Sequence, residues 1–251
     1  MLTASGDRMR WRSGWQRAAR GGALASRYMQ ETLRISTLAA YWPLNEGSGI
    51  TSARDWSPNA KTGTHSGSLT VGAELIPGTG ASRSFPGSSG VSTACGLATN
   101  ATDNFTLELW CRPTLPHGSG GVNGGMLVMN GLNTNGYGIG IGTGVFAIGS
   151  KLTMLFGGIE FYDTGYTMPT SGALYHLVMV RNSGTAQMYV NGAATGNSRT
   201  TTPGTPTTET RIGGYSDPGY EALGTIGHVA IYTSALSATV IAYRYALGLT
   251  G

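Results

Sequence analysis

Charge is scarce in this chain: Asp, Glu, Lys and Arg make up only 11% of its 251 residues. Cysteine is scarcer still, with Cys95 and Cys111 alone. Two cysteines cannot form the disulfide framework of a small secreted scaffold, and their spacing leaves open whether they pair or remain two buried thiols. No apolar run approaches the ~18 residues of a membrane span. The first residues carry arginines but no apolar stretch of about 7–15 residues ahead of a cleavage site, so a secretory signal is not expected. His65, His117, His176 and His228 are scattered, with no i, i+4 pair and no Cys-x-x-Cys partner, which excludes the usual zinc patterns. Carboxylates are equally dispersed. Glu108 stands alone in its segment, so the paired carboxylates of a glycosidase are not foreseen, nor is any enzyme activity.

Glycine, by contrast, is abundant. Forty-one glycines with 40% apolar residues point to many short strands, tight turns and a core of real size, not to disorder. The length suits one large all-β domain or two small ones.

The net charge of +4 is concentrated at one end. Residues 1–36 carry seven arginines against Asp7 and Glu31, a net of +5, whereas the other 215 residues hold nine basic and ten acidic side chains. The high pI therefore belongs to an arm, and the body is near neutral. Within the arm, Trp11, Trp15 and Ala18 would share one face of a helix, with Arg8, Arg10, Arg12, Arg17 and Arg20 around them. Gly14 and the Gly21-Gly22 pair would make such a helix short and marginal alone. Docking to a protein assembly, contact with nucleic acid, a membrane-surface helix and a solvated tail all remain open, and the two tryptophans favour docking. A second helix is expected over 24–34, and the arm and helix (1–36) are set apart from a folded domain over 37–251.

The segment Ala173–Gly196 reads as a hairpin. Ala186, Met188 and Val190 alternate with polar neighbours, Asn182-Ser183-Gly184 supplies the loop, and Asn191-Gly192 suits positive φ. The first strand is apolar on both faces, Leu174, Val178 and Val180 opposing Tyr175, Leu177 and Met179, so it should be central and covered on each side. Leu38, Ala40, Trp42 and Leu44 alternate in a further strand that Pro43 confines to an edge. Phe105, Leu107, Leu109 and Cys111 share one face of another. Gly136–Gly144, GYGIGIGTG, repeats glycine every second residue, which is a strand stripped on one face and not a phosphate-binding loop. Its bare face should admit another layer closely. Ser237 is a good N-cap for a last helix bearing Val240, Tyr243 and Leu247 and closed by Gly248.

Six blocks, in order, resemble the laminin-G-like, concanavalin A-like jelly rolls. They are YWPLNEGSG from Tyr41, Asp55-Trp-Ser-Pro-Asn59, Ser84-Phe-Pro-Gly87, Phe105–Pro113, the Ala173–Gly196 hairpin, and Thr225–Tyr232 with Leu236-Ser237. The resemblance implies an all-β antiparallel jelly-roll sandwich with an N-terminal arm and helix and a short C-terminal helix. It also implies a calcium site at Asp55 and Asn59, which many relatives complete with acidic residues that stand here as Gly227-His228. Pro58 replaces the family's usual glycine. The alternative is a turn in which Asp55 and Asn59 satisfy backbone N–H groups. The E-x-D-x-x-E strand of enzymes of this fold is absent.

Tyr162, Asp163 and Tyr166, and Tyr215, Asp217 and Tyr220, pair tyrosines with an aspartate in turn-like sequence, the chemistry of a sugar-binding surface. The alternative is tyrosines covering a sheet edge. Relatives occur in secreted glycoside hydrolases, cell-surface proteins and tailed-bacteriophage virions. The resemblance, with the arm, therefore implies a non-enzymatic structural or adhesion protein. It would be a virion tail, fibre or capsid-decoration subunit, anchored to other virion proteins by the arm, touching host glycans and self-associating. A carbohydrate-binding module of an extracellular glycan-degrading system is the rival, and nucleic-acid contact through the arm a third.

Overall fold

The computed structural model describes residues 26–88, 92–117, 125–144, 149–214 and 220–251. The arm at 1–23 lies outside them, as do Tyr215 and Asp217. In chain order the described elements are α1 (Arg27–Arg34), β1 (Leu38–Trp42), β2 (Ser52–Ala53), β3 (Gly63–Ser66), β4 (Thr70–Glu74), β5 (Ala81–Pro86), β6 (Ser92–Gly96) and β7 (Phe105–Pro113). There follow β8 (Gly125–Gly131), β9 (Gly136–Ile141), β10 (Lys151–Phe156), β11 (Glu160–Thr167), β12 (Tyr175–Asn182) and β13 (Thr185–Val190). The last are β14 (Ala193–Thr200), β15 (Glu209–Ile212), β16 (Leu223–Tyr232) and α2 (Ala238–Thr250).

The strands form two antiparallel sheets packed face to face. Sheet I runs β14-β13-β12-β7-β16-β5-β4, with β1 also on β16; sheet II runs β11-β10-β9-β8-β15-β6-β3-β2. Strand alternation delivers one face of each sheet to a common core. Phe105, Leu107, Leu109 and Cys111 of β7, Leu177 and Met179 of β12 and Val229 and Ile231 of β16 meet Tyr137, Ile139, Ile141, Met154 and Phe156 of sheet II. The Phe105 and Tyr137 rings stack across the layers at 3.6 Å. Cys95 and Cys111 are free, buried thiols.

The hairpin forms as its sequence requires. Ser183 and Gly184 both take positive φ between the paired Asn182 and Thr185. Strand β12 is buried along almost its whole length because the core covers one face and Ile241 and Tyr245 of α2 lie against the other. Two expectations need correction. Leu38 joins Tyr41 rather than the Ala40–Trp42 face, because the β1–β16 register slips between Leu38 and Ala40. Among the described residues the bare face of β9 meets no further layer. A Cβ on Gly138 would lie 2.6 Å from the Val128 carbonyl and 2.8 Å from Met126 Cε, so a neighbouring strand occupies the space.

The helices lie on the outer face of sheet I. Helix α1 starts at Arg27, later than expected, with Ser26 as its cap. Tyr28, Met29 and Thr32 face inward, Tyr28 packing with Trp110 and Leu247. The helix therefore belongs to the sandwich rather than to the arm, and the folded body begins before residue 37. Helix α2 is capped by Ser237, whose Oγ accepts the Val240 N–H at 3.3 Å. Its buried residues are Ile241, Arg244, Leu247 and Gly248, while Val240 and Tyr243 face outward, contrary to the expected stripe. Gly248 does not end the helix; Gly251 does. A Cβ on Gly248 would collide with the Trp110 ring, so its lack of a side chain sets how closely α2 approaches β7.

Glycine-to-alanine exchange inside a helix ordinarily gains about 1 kcal/mol, but overpacking a tight contact costs roughly 1–3 kcal/mol. Gly248→Ala is therefore expected to lower the urea midpoint. Gly196→Ala, which meets open space, should leave it nearly unchanged.

Candidate functional site

Three places carry polar chemistry. The first is buried. Glu108 projects from the helix-covered face of β7 and is fully inaccessible. Its carboxylate accepts from Tyr28 Oη (2.8 Å), His176 Nε2 (2.7 Å), Tyr232 Oη (2.9 Å) and Arg244 Nε (2.8 Å). Arg244 Nη2 also donates to Tyr28 Oη and Thr32 Oγ1, each at 3.0 Å, and Trp110 Nε1 donates to Tyr28 Oη at 2.9 Å. Glu108, solitary in its own strand, thus gathers partners from α1, β12, β16 and α2.

Burial alone would raise the Glu108 carboxyl, but the Arg244 guanidinium and the His176 donor outweigh it and hold the group well below the usual carboxylate range. Burial holds His176 below its usual value against the opposing pull of Glu108. It is therefore neutral, its Nε2–H donating to a carboxylate already paired with Arg244. With both Glu108 and His176 fully inaccessible, no substrate reaches this array. It fastens helices to a sheet.

The second place is the Asp55–Asn59 turn beside β1. Asp55 Oδ1 accepts from the Tyr41 N–H (2.9 Å) and the Ser57 N–H (2.8 Å). Oδ2 accepts from Ser57 Oγ (2.8 Å) and the Lys61 N–H (2.7 Å). Asn59 Nδ2 donates to the Leu38 and Ala39 carbonyls at 3.3 and 2.9 Å. The two side chains thus bond backbone groups along the edge of β1 that β16 leaves unpaired, the contacts a further strand would make. At the position of the family's acidic pair, His228 is buried at a bulge with φ +52°, bonded to Tyr41 Oη (2.8 Å) and Thr79 Oγ1 (3.0 Å). This donor set does not fit calcium. Both Asp55 oxygens are taken by N–H and O–H donors, and among the described residues no three His, Cys, Asp or Glu gather around a metal position. Asn59 and Lys61 also line an open polar groove of about 390 Å³ with Ser36, Thr37 and Thr233.

The third place is the outer face of sheet II. Here the structure separates the tyrosine candidates. Tyr162 and Tyr166 pack against the inner core, and Tyr162 Oη donates to the Ser198 carbonyl at 3.1 Å, closing the sandwich edge between β11 and β14. Asp163 pairs with Lys151 and accepts the Gly165 N–H. Its register with Thr153 places it two residues along from Phe161, on the same face. Tyr220 stacks on Phe161 with centroids 6.0 Å apart and planes 11° from parallel, over Met126, Met129 and Leu155. Phe161 was not among the sequence candidates. Its alternation opposite Tyr162 on β11 was the available signal. No helix or strand among the described residues packs over this pair.

A two-sheet antiparallel jelly roll with one helix-covered face is the architecture of the lectin-like sandwiches. Residues 85–242 match the concanavalin A-like lectin/glucanases superfamily, and the chain belongs to it. Comparison with curated proteins finds no match. Among solved structures, domain 4 of AbnA, a GH43 extracellular arabinanase from Geobacillus stearothermophilus solved with arabinotriose, is 17% identical with a TM-score of 0.57. The match covers 83% of this chain and 98% of that one. Trypanosoma rangeli sialidase is 17% identical with a TM-score of 0.59 over 85% of this chain, which spans only 33% of the sialidase. The receptor-binding domain of botulinum neurotoxin type G is 14% identical, TM-score 0.60, over 84% of this chain and 51% of that domain. At these identities the likeness is one of fold. No helix among the described residues is long and apolar enough to cross a membrane.

Two outcomes follow. Asp55→Ala strands the Tyr41, Ser57 and Lys61 N–H groups. It should destabilise the protein by about 2–4 kcal/mol, equally with calcium and with chelator; a loss seen only with calcium would contradict the edge-sealing role. The second concerns pH. His228 and His117 are pushed down by burial to about 3 and about 4. Being neutral when folded, they take up protons on unfolding below the ordinary histidine value of 6.5, so stability falls as pH drops from there toward 3. Glu108 has the same sign: its contribution is present above 4.5 and is lost as pH falls through its depressed folded value. Urea midpoints should be level between about pH 7 and 8 and decline steadily below about pH 6.

Proposed function

We propose that this chain is a non-catalytic carbohydrate-binding or adhesion domain that meets glycan on the outer face of sheet II, around Phe161 and Tyr220. The observation that carries this is the stacked Phe161–Tyr220 pair beside Asp163 and Lys151, on the sheet face that the helices leave uncovered. A sugar ring needs apolar surface for its C–H face and charged or polar groups for its hydroxyls, and this patch supplies both. The arabinotriose complex of the similar arabinanase domain and the similarity to a toxin's receptor-binding domain support a binding role. An extracellular setting follows from this reading.

A second reading draws on the arm. Five arginines and two tryptophans within residues 1–23, preceding a near-neutral body, suit attachment to a larger protein assembly, of which a tailed-phage virion is the setting we propose. The two readings are compatible, with the arm attaching and the sandwich binding. Nucleic-acid contact by the same arm would show as retention on DNA that falls steeply with salt.

A glycan array followed by calorimetry tests the principal reading, with arabino-oligosaccharides and sialylated glycans included as probes. Tyr220→Ala should weaken the selected glycan about tenfold or more, within the ~1–3 kcal/mol expected of an aromatic contact. Binding unchanged in the Phe161→Ala/Tyr220→Ala double variant, or no glycan bound by the intact protein, would refute it.

A further inference from the structure

Helix α2 sits on the surface yet has no charged outer face, and its exposed threonines, Thr239 and Thr250, lie at its two ends. Its single charged residue, Arg244, is turned inward to Glu108. Outward it presents Val240, Tyr243 and Leu249, which are 36%, 47% and 48% exposed, with Ala242 and Ala246 exposed between them. A surface helix ordinarily directs charged and polar side chains to water, and one that is apolar all round is covered. The neighbouring α1 differs, with Arg27, Gln30 and Arg34 exposed. The apolar stripe is thus confined to α2, bounded on one side by Arg27, whose Nη2 donates to Tyr243 Oη at 3.4 Å.

We infer that this stripe is covered by the chain's own N-terminal arm, through Trp11 and Trp15. Three observations choose that occupant. The described chain starts at Ser26, the cap of α1, and the next residue already touches Tyr243 on the stripe. Trp11, Trp15 and Ala18 recur at the spacing of one helical face, which would match an apolar stripe on a facing helix. Reach suffices: Trp15 lies eleven residues before Ser26, a tether of up to about 36 Å when extended, and α2 is about 20 Å long. The contact is intramolecular, and an assembly partner that takes the arm would have to displace it from α2. It does not depend on glycan binding.

Limited trypsin digestion of the full-length protein reads this directly, because the arm offers Arg17 and Arg20 as cleavage points. Cleavage there, followed by mass spectrometry, should accelerate about tenfold when Tyr243→Ser and Leu249→Ser are combined, since cutting follows the open population. Trp11→Ala with Trp15→Ala should do the same. Tyr243 and Leu249 lie outside the core clusters, and an unaltered circular dichroism melt of each variant confirms that the sandwich is intact. Equal cleavage rates in wild type and the Tyr243/Leu249 variant would overturn the inference. Protection that appears only as protein concentration rises would also overturn it, assigning the stripe to a second copy.

Discussion

One buried carboxylate organises this molecule. Glu108 stands at the middle of β7, in the centre of sheet I, with neither oxygen exposed. A lone carboxylate there would be untenable, because moving an ion out of water costs several kcal/mol even after relaxation. It is tolerated because Arg244 meets it with a guanidinium while two tyrosines and a histidine donate to the same oxygens. Those donors come from α1, α2, β12 and β16. The need to satisfy one charge therefore fixes where two helices sit. Such an array adds little net stability over a well-packed apolar cluster, but removing one partner costs about 3–5 kcal/mol. Its consequence is geometric: the helices have one docking position.

That position has functional reach. With α1 and α2 clamped over sheet I, one face of the sandwich is closed to ligands, and contacts with the outside fall to the outer face of sheet II, the sheet edges and the exposed side of α2. Asp55 and Asn59 close one of those edges by bonding the unpaired side of β1, and Tyr162 and Tyr166 close another. Residues that look like ligand-binding chemistry in a linear reading thus complete the sandwich. The surface they leave is the Phe161–Tyr220 pair.

The sandwich was largely legible in the sequence because its determinants are local. Period-two alternation in β7, β12 and β13, the Ser183-Gly184 turn and the Ser237 cap each act within a few residues. What escaped was set at long range. Arg244 lies 136 residues from Glu108, and a charged residue on a C-terminal helix reads as its solvent face until its partner is in view. Leu38 was misplaced by a bulge that no residue type announces. On β11 the tyrosines were noticed and the phenylalanine just before them passed over. Strand alternation puts Phe161 and Tyr162 on opposite faces, and only the pairing of β11 with β10 decides which face is outside.

The central claim is that the Glu108 array makes both helices part of one cooperative unit with sheet I. Native-state hydrogen exchange measures this most directly. The account predicts that the slowest amides of α1, of β7 around Glu108 and of α2 share one opening free energy, equal to that of global unfolding. If α1 and α2 exchanged through openings about 2 kcal/mol or more below that of β7, the helices would be loosely attached and the account contradicted.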